Sequence, residues 1–164
     1  MASNMSIKID STEGEIKGEY VERPGEIEVW SWGWGLNHSG TTHHGKGGGQ
    51  GALSVHDLTF TKPVDKSTPA LLRMICRGTA FKEAKLTVRK ASGGDESFDY
   101  VTITMMDGVI SCVTPGGSYG EEQMTETVTL NFPKFKYEYT EQEEGATAGS
   151  AVPMGWNIPE KKEI

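Results

Sequence analysis

Residues 100–117 read YVTITMMDGVISCVTPGG, and this stretch decides the fold class. Val101, Ile103 and Met105 alternate with threonines, which is the pattern of a strand that buries one face. Asp-Gly at 107–108 carries turn chemistry, a second apolar run follows it, and Thr-Pro-Gly-Gly ends the stretch. The pattern therefore predicts two short antiparallel strands with a turn between them.

The same alternation of apolar and polar residues recurs along most of the chain. Arg-Pro-Gly at 23–25 and Ser-Gly-Gly-Asp at 92–95 are further turn signals between such segments. About eight strands joined by turns are typical of an antiparallel sandwich or barrel, so we expect a mainly β fold. The strands are predicted around Ile7 and Ile9, Ile27 and Val29, Leu58 and Phe60, Leu86 and Val88, Val101 to Met105, 109–113, Val128 to Phe132, and Phe135 to Tyr139.

One segment, DKSTPALLRMICRGTAF, breaks this rhythm. Ser67 or Thr68 suits the N-cap of a helix, and Pro69 suits its first position. Gly78 then suits the C-terminal stop, so the segment predicts one helix over residues 69–77. Because so short a helix is marginal alone, it must lie against the sheet. The apolar face predicted for that contact consists of Leu71, Leu72, Ile75 and Cys76.

Charge and composition exclude some classes of partner. Sixteen Lys and Arg residues against 23 Asp and Glu residues give a net charge of −7, which disfavours binding to nucleic acid and to anionic membranes. The start, MASNMSIKID, has no basic region followed by an apolar run, and no segment approaches about 18 consecutive apolar residues. We expect a single domain over residues 1–164, made in the cytoplasm without a signal peptide or a membrane anchor.

The two cysteines, Cys76 and Cys112, each lie in an apolar-rich segment and do not form a C-x-x-C motif. Cysteine in a reducing compartment is commonly a buried free thiol. We therefore expect both side chains to be reduced and buried.

Metal and catalytic chemistry have weak support. Imidazole suits zinc and copper, but three of the four histidines lie among glycines, and ordering such a segment is entropically costly. A mobile polar loop is the better interpretation. The GKGGGQG stretch lacks the G-x-x-x-x-G-K-[ST] pattern of a phosphate-binding loop, and Ser31 has no identifiable base. We expect no enzyme activity, no metal and no cofactor. The histidines considered are His38, His43, His44 and His56.

Three tryptophans, Trp30, Trp32 and Trp34, share one face of a predicted strand. Such a stripe is more often part of a core than a platform for sugars. Glu26 and Glu28 continue the same face, so the stripe must leave the core towards the start of the strand or be shifted there by a bulge. Because an exposed stripe of aromatic side chains could bind sugars, a glycan-binding β-sandwich is the alternative function.

Several long motifs resemble the haemolysin-coregulated protein (Hcp) family, which forms the tube of bacterial type VI secretion systems. The resemblance covers nearly the whole chain in the same order. The motifs that carry it are IEVWSWGWG at 27–35, HDLTFTKPVDKSTPALL at 56–72, AKLTVRKA at 84–91, MTETVTLNF at 124–132 and GWNIPE at 155–160.

The resemblance implies an antiparallel β-barrel of two sheets with one flanking α-helix, similar to the tail-tube proteins of contractile phages. It implies hexameric rings that stack into a tube, which a contractile sheath expels behind a trimeric spike protein. Effector proteins would be carried and chaperoned in the lumen. The tube would leave the bacterial cytoplasm for the medium or a target cell without a signal peptide, and this chain would carry no fused effector domain.

The resemblance also implies roles for particular residues. Ser31 in the W-S-W motif would face the lumen and contact effectors, and the helix would lie on the outer side of the barrel. Residues 36–53 match the long extended loop that reaches neighbouring subunits and stacked rings. The loop residues assigned to those contacts are Leu36, Asn37, His38, Thr41, Thr42, His43, His44, Lys46 and Gln50.

Overall fold

A computed structural model describes residues 4–10, 25–40, 51–91, 97–143 and 148–164 of the protein. Strands dominate this part of the chain, which confirms the predicted mainly β class with one helix. The elements are β1 (Asn4–Ile9), β2 (Ile27–Glu28), β3 (Ser31–Gly33), β4 (Leu36–His38), β5 (Leu53–Val55), β6 (Leu58–Pro63), α1 (Ser67–Arg77), β7 (Ala80–Ala91), β8 (Ser97–Gly116), β9 (Thr125–Asn131), β10 (Lys134–Gln142), β11 (Ala148–Asn157) and β12 (Lys162–Glu163).

The central strand, β8, continues through the Asp-Gly pair that was predicted to be a turn. Asp107 does adopt the left-handed conformation of a turn residue, with φ of 57°. The chain nevertheless continues in the same strand and does not reverse. The first half of β8 pairs with β10 and the second half with β9, so the predicted separation into two strands was wrong. The Asp-Gly pair therefore marks the point at which β8 changes its pairing partner, rather than a turn between two strands.

Gly108 allows two neighbouring groups to approach the strand closely at this point. A Cβ built on Gly108 would lie 2.4 Å from Phe81 Cζ and 2.5 Å from the carbonyl oxygen of Asn131. We expect Gly108→Ala to destabilise the fold by about 2–3 kcal/mol in denaturant unfolding, because both neighbours must move. Gly116→Ala is the matched control, since a Cβ there meets nothing within 4 Å. Equal unfolding midpoints for the two variants would contradict this account.

Within the described ranges, the strands form one branched antiparallel sheet of ten strands and a separate pair, β4 and β5. One path of the large sheet runs β12-β11-β10-β8-β7-β1-β2, and the branch runs β8-β9-β6-β3. This pairing does not close into the barrel implied by the resemblance. β2 and β3 are consecutive along the chain but take different partners, β1 and β6.

The junction between β2 and β3 explains why the strand hydrogen bonds do not run continuously around the sheet. Val29 N–H donates to the Met5 carbonyl at 3.0 Å, and Trp30 N–H donates to the Thr61 carbonyl at 2.8 Å. The covalent chain, rather than a row of strand hydrogen bonds, therefore joins the two ends of the sheet. The path and the branch of the large sheet enclose one core. Its largest fully buried apolar side chains include Phe60, Phe81, Phe135, Ile103 and Met105.

The helix α1 begins two residues earlier than predicted and is capped differently. Neither Ser67 nor Thr68 is the N-cap. Lys66 occupies that position without a capping side chain, and Asp65 Oδ1 accepts the Ser67 N–H at 2.9 Å. Gly78, with φ of 62°, ends the helix as predicted. The chain just before the helix thus supplies the cap.

The buried face of α1 differs from the predicted face. Leu71 and Met74 are buried among the described helix residues, whereas Leu72, Ile75 and Cys76 are exposed. The spacing correctly indicated an apolar stripe. It did not indicate that the sheet, which α1 contacts through β8, covers only one side of that stripe.

Both cysteines are free but exposed, so the prediction of buried thiols was wrong. For Cys112 the cause is a register shift in the ladder between β8 and β9. Ile110 pairs with Leu130 and points into the core, while Cys112 pairs with Thr129 on the outward face. An irregularity of this kind reverses the side on which the following residues lie.

Candidate functional site

The outward side of the β8-β9-β6-β3 branch carries short polar side chains. In one row across the four strands, Ser31 pairs with Thr61, Thr61 with Thr127, and Thr127 with Thr114. In the adjacent row, the positions are Gly33, Thr59, Thr129 and Cys112. We call this surface the threonine face.

Buried apolar side chains pack behind the threonine face, on the core side of the sheet. Phe60 and Val128, which alternate with its threonines, are buried in the core. On the face itself, Thr59 Oγ1 and Thr129 Oγ1 lie 3.2 Å apart. β-branched residues suit strand backbone and have few rotamers, so the surface is stiff as well as polar. It presents hydroxyl groups and no formal charge in these two rows.

Ser31 lies at the β3 edge of the threonine face and is exposed. The structure thus brings the predicted site residue together with seven other small or hydroxyl-bearing positions, to which the sequence patterns had assigned no site. A signal for them existed. Thr59, Thr61, Thr127 and Thr129 alternate with core residues in strands that were predicted, which assigns them to the opposite side, whereas Thr114 was predicted to lie in a turn.

The second predicted site, the extended loop, is partly described. Leu36, Asn37 and His38 form β4, which pairs with Leu53–Val55 of β5, and all three are exposed. We call this two-stranded hairpin the arm. The remaining predicted loop residues, Thr41, Thr42, His43, His44, Lys46 and Gln50, lie outside the described residues.

Hydrogen bonds fix the base of the arm to the body. Trp34 Nε1 donates to the His56 carbonyl at 2.9 Å, and the His56 N–H donates to the Gly35 carbonyl at 2.9 Å. The His56 ring is bonded through Nε2 to Asn37 Oδ1 at 2.9 Å. His56 therefore has a structural role in joining the arm to β6. Within the described ranges, no group of three His, Cys, Asp or Glu residues is arranged to hold a metal ion.

A groove of about 670 Å³ lies between the arm and the far end of the sheet. Leu36 and Leu53 line it from the arm, and Phe135, Met154 and Trp156 line it from β10 and β11. Most of the groove lining is therefore apolar, and the exposed Leu36, Leu53 and Met154 side chains leave apolar surface uncovered.

The three tryptophans of the W-S-W-G-W segment have different surroundings. Trp32 and Trp34 are half-buried against the core, and the Trp34 ring meets Phe135 edge-on with centroids 4.8 Å apart. Trp30 is 44% exposed. A carbohydrate platform needs aromatic faces that are exposed side by side, and this arrangement does not provide one.

A buried ion pair that the sequence patterns did not predict lies beside the start of α1. Lys62 Nζ lies 2.6 Å from Glu126 Oε1 and 2.9 Å from Asp65 Oδ1, and the Lys62 and Glu126 side chains are fully buried. The Lys62 ammonium also donates to the Pro63 carbonyl at 2.8 Å, and Thr68 Oγ1 donates to Glu126 Oε1 at 2.8 Å. The pair therefore fastens the start of α1 to β6 and β9.

Comparisons with known proteins agree on one family. The sequence model described as "Type VI secretion system effector, Hcp" matches residues 7–139. Protein hcp1 of Pseudomonas aeruginosa is 45% identical over 161 residues, which cover 96% of this chain and 96% of that protein. Hcp1 from Salmonella typhimurium has a TM-score of 0.80 and 33% identity over the full length of both chains.

A further solved structure, of a type six secretion system protein, has a TM-score of 0.89 with coverage of 99% of this chain and 100% of that chain. Its sequence is 23% identical, so this likeness shows the fold alone. The fold of the described residues is thus similar to that of solved type VI secretion proteins.

Proposed function

The chain belongs to the Hcp family of type VI secretion tube proteins, and from that premise we propose that six copies form a ring whose channel is lined by the threonine face. The rings stack into the secreted inner tube. Effector proteins travel in the channel, and the spike protein and the contractile sheath act at the tip and outside of this tube.

The threonine face is the observation that carries the proposal. It spans four neighbouring strands, whose paired residues form two continuous rows, and it exposes hydroxyl groups over a packed core. A channel wall must meet water on one side and hold its shape on the other. An uncharged polar sheet with a buried apolar face meets both conditions.

The chemistry of the same face supports the carriage of effectors. Hydroxyl groups donate and accept single hydrogen bonds that water readily replaces, and each is worth only about 1 kcal/mol in net terms. Many such contacts hold a protein weakly at any one point and release it without a conformational change. We assign the contact with effectors to Ser31 and its neighbours in both rows.

The arm is the part of the subunit that we assign to contacts between stacked rings. Leu36 and Leu53 on the arm are exposed, and the apolar groove beside them has room for a segment of another subunit. The loop residues Thr41, Thr42, His43, His44, Lys46 and Gln50 belong to the same proposal. No helix among the described residues has the length and apolar character needed to cross a membrane.

A substitution on the arm tests its role. We expect Leu53→Asp to shorten or abolish tubes seen by electron microscopy while single rings persist, because a carboxylate cannot enter an apolar contact without a partner. Leu53 is 39% exposed and lies outside the core, so the unfolding midpoint of the isolated subunit should change little. Leu53→Met is the matched control. Tubes of wild-type length from Leu53→Asp would remove the arm from ring stacking.

The channel assignment is tested with rings and a co-expressed effector. Native mass spectrometry of the wild-type protein should give six copies per particle. Thr127→Arg places a long cation in the middle of the threonine face, and the amount of effector that co-purifies should fall at least about tenfold with rings intact. Thr127→Ser should retain the effector. A strictly monomeric wild-type protein, or unchanged effector binding by Thr127→Arg rings, would contradict the proposal.

A further inference from the structure

The four strands that carry the threonine face end in two unpaired edges. Among the described strands, β3 pairs only with β6, and residues 111–116 of β8 pair only with β9. These two edges lie on opposite sides of the β8-β9-β6-β3 branch. Unpaired strand edges expose backbone donors and acceptors, and they favour contact with another chain.

The α1 helix lies against β8, the strand that forms one of these edges, and presents an apolar patch. Leu72 is 40% exposed, Ile75 is 36% exposed, and Cys76 is exposed beside them. Arg73 and Arg77, both exposed, border this patch. We call these five residues the helix patch. It is apolar at its centre and cationic at its rim, although the whole chain is acidic.

The β3 edge carries the complementary chemistry. Trp30, directly before β3, is 44% exposed, and its Nε1 donates to Glu28 Oε1 at 3.1 Å. The bond fixes the indole next to a carboxylate. A large exposed aromatic side chain beside an anion matches an apolar patch beside two guanidinium groups.

We propose that Trp30 and Glu28 of one subunit dock on the helix patch of the next subunit in the ring. This inference rests on the proposed ring and names the surfaces that close it. A head-to-tail ring needs two different, complementary patches on opposite sides of the subunit, which is how these two are placed. Tryptophan and arginine are the side chains that most often dominate the affinity of an interface.

The second copy of this chain is the occupant that the charges favour. Glu28 brings a carboxylate to Arg73 and Arg77, and such charge-assisted hydrogen bonds are stronger than neutral ones. In this docking, the rigid indole of Trp30 packs against Leu72 and Ile75. Docking also brings the two unpaired sheet edges of neighbouring subunits to the same boundary, so that the threonine faces form one continuous wall.

Disulfide trapping through the native Cys76 tests the docking. Glu28→Cys is combined with Cys112→Ser, so that Cys76 and the new cysteine are the only thiols. Oxidation with diamide should give covalent multimers up to six copies on a non-reducing gel, and reduction should return the monomer. The control replaces the fully exposed Tyr119 by cysteine in the same background, and it should give no multimers.

A second set of variants measures the docking without a cross-link. We expect Trp30→Ala to raise the concentration at which rings dissociate by at least about 30-fold, the effect of removing a dominant interface residue. Glu28→Arg should weaken rings, and Glu28→Arg with Arg73→Glu should restore them. The circular dichroism spectrum and the unfolding midpoint of each variant establish that the subunit is folded.

The outcomes separate this inference from the proposed function. Wild-type rings without cross-linking at Glu28→Cys, and with Trp30→Ala rings as stable as wild type, would overturn the docking and leave the ring itself intact. Absence of rings from the wild-type protein would instead contradict the proposed function.

Discussion

Replacement of Glu126 by alanine is expected to destabilise the protein by about 3–5 kcal/mol. The variant leaves the Lys62 ammonium fully buried without the carboxylate 2.6 Å away, and removal of one partner from a buried ion pair has this cost. Asp65, at 2.9 Å from Lys62 Nζ, would remain as a partial partner. Urea unfolding of the isolated subunit, compared at a common denaturant concentration, measures the effect.

Two controls separate the buried charge from ordinary loss of packing. The double variant Lys62→Met with Glu126→Leu removes both charges, and we expect it to be much closer to wild type than either single variant, because apolar replacements of buried pairs are often neutral. Lys134→Ala breaks an exposed pair with Asp107 and should cost about 1 kcal/mol or less. A loss below about 1 kcal/mol for Glu126→Ala would show that the pair does not anchor α1.

Replacement of Trp34 by alanine is expected to have the second largest effect. The variant loses the edge-on contact with Phe135 and the hydrogen bond from Nε1 to the His56 carbonyl at 2.9 Å. Truncation of a large aromatic side chain costs about 3 kcal/mol or more, and here it also frees the base of the arm. Unfolding free energy and the protection of arm amides from hydrogen exchange measure the two consequences separately.

Trp34→Phe is the matched control, because it keeps an aromatic ring against Phe135 and removes the Nε1 hydrogen bond with only part of the indole. We expect it to cost about 1 kcal/mol. If Trp34→Ala lowered stability without faster exchange in Leu36–His38 and Leu53–Val55, the arm would be held by other contacts, and Trp34 would serve only the core.

Much of the fold was predictable because most strands bury one face. Alternation at Leu58 and Phe60, or at Val128 and Leu130, reports that burial directly, and both pairs are in the core. The same alternation also indicated a buried charge, which was not predicted. Lys62 follows Phe60 at the inward position, so a charged residue was placed in the core and required a partner there.

Other features depend on long-range contacts that local patterns do not report. The Asp107-Gly108 pair has the chemistry of a turn, but the approach of Phe81 and Asn131 keeps it within one strand. Cys112 becomes exposed because a register irregularity precedes it. Leu72 and Ile75 fit a buried helical face, yet which side the sheet covers is decided by the position of β8.

The candidate site came from the resemblance more than from the residues. Ser31 was assigned to the lumen by its place in the W-S-W motif, and that assignment stays a prediction. The threonine face is a product of strand register between β3, β6, β9 and β8, whose segments are far apart in sequence. No pattern within one strand reveals that four strands align their hydroxyl groups.

The position of a label on Cys112 tests the central claim most directly. Cys112 is exposed and lies in the second row of the threonine face. Rings of the Cys76→Ser variant, labelled with a maleimide gold cluster and imaged by electron microscopy, should show six-fold particles with the label inside the central channel. Gold on the outer rim of the rings, or labelled protein that forms no rings, would contradict the account.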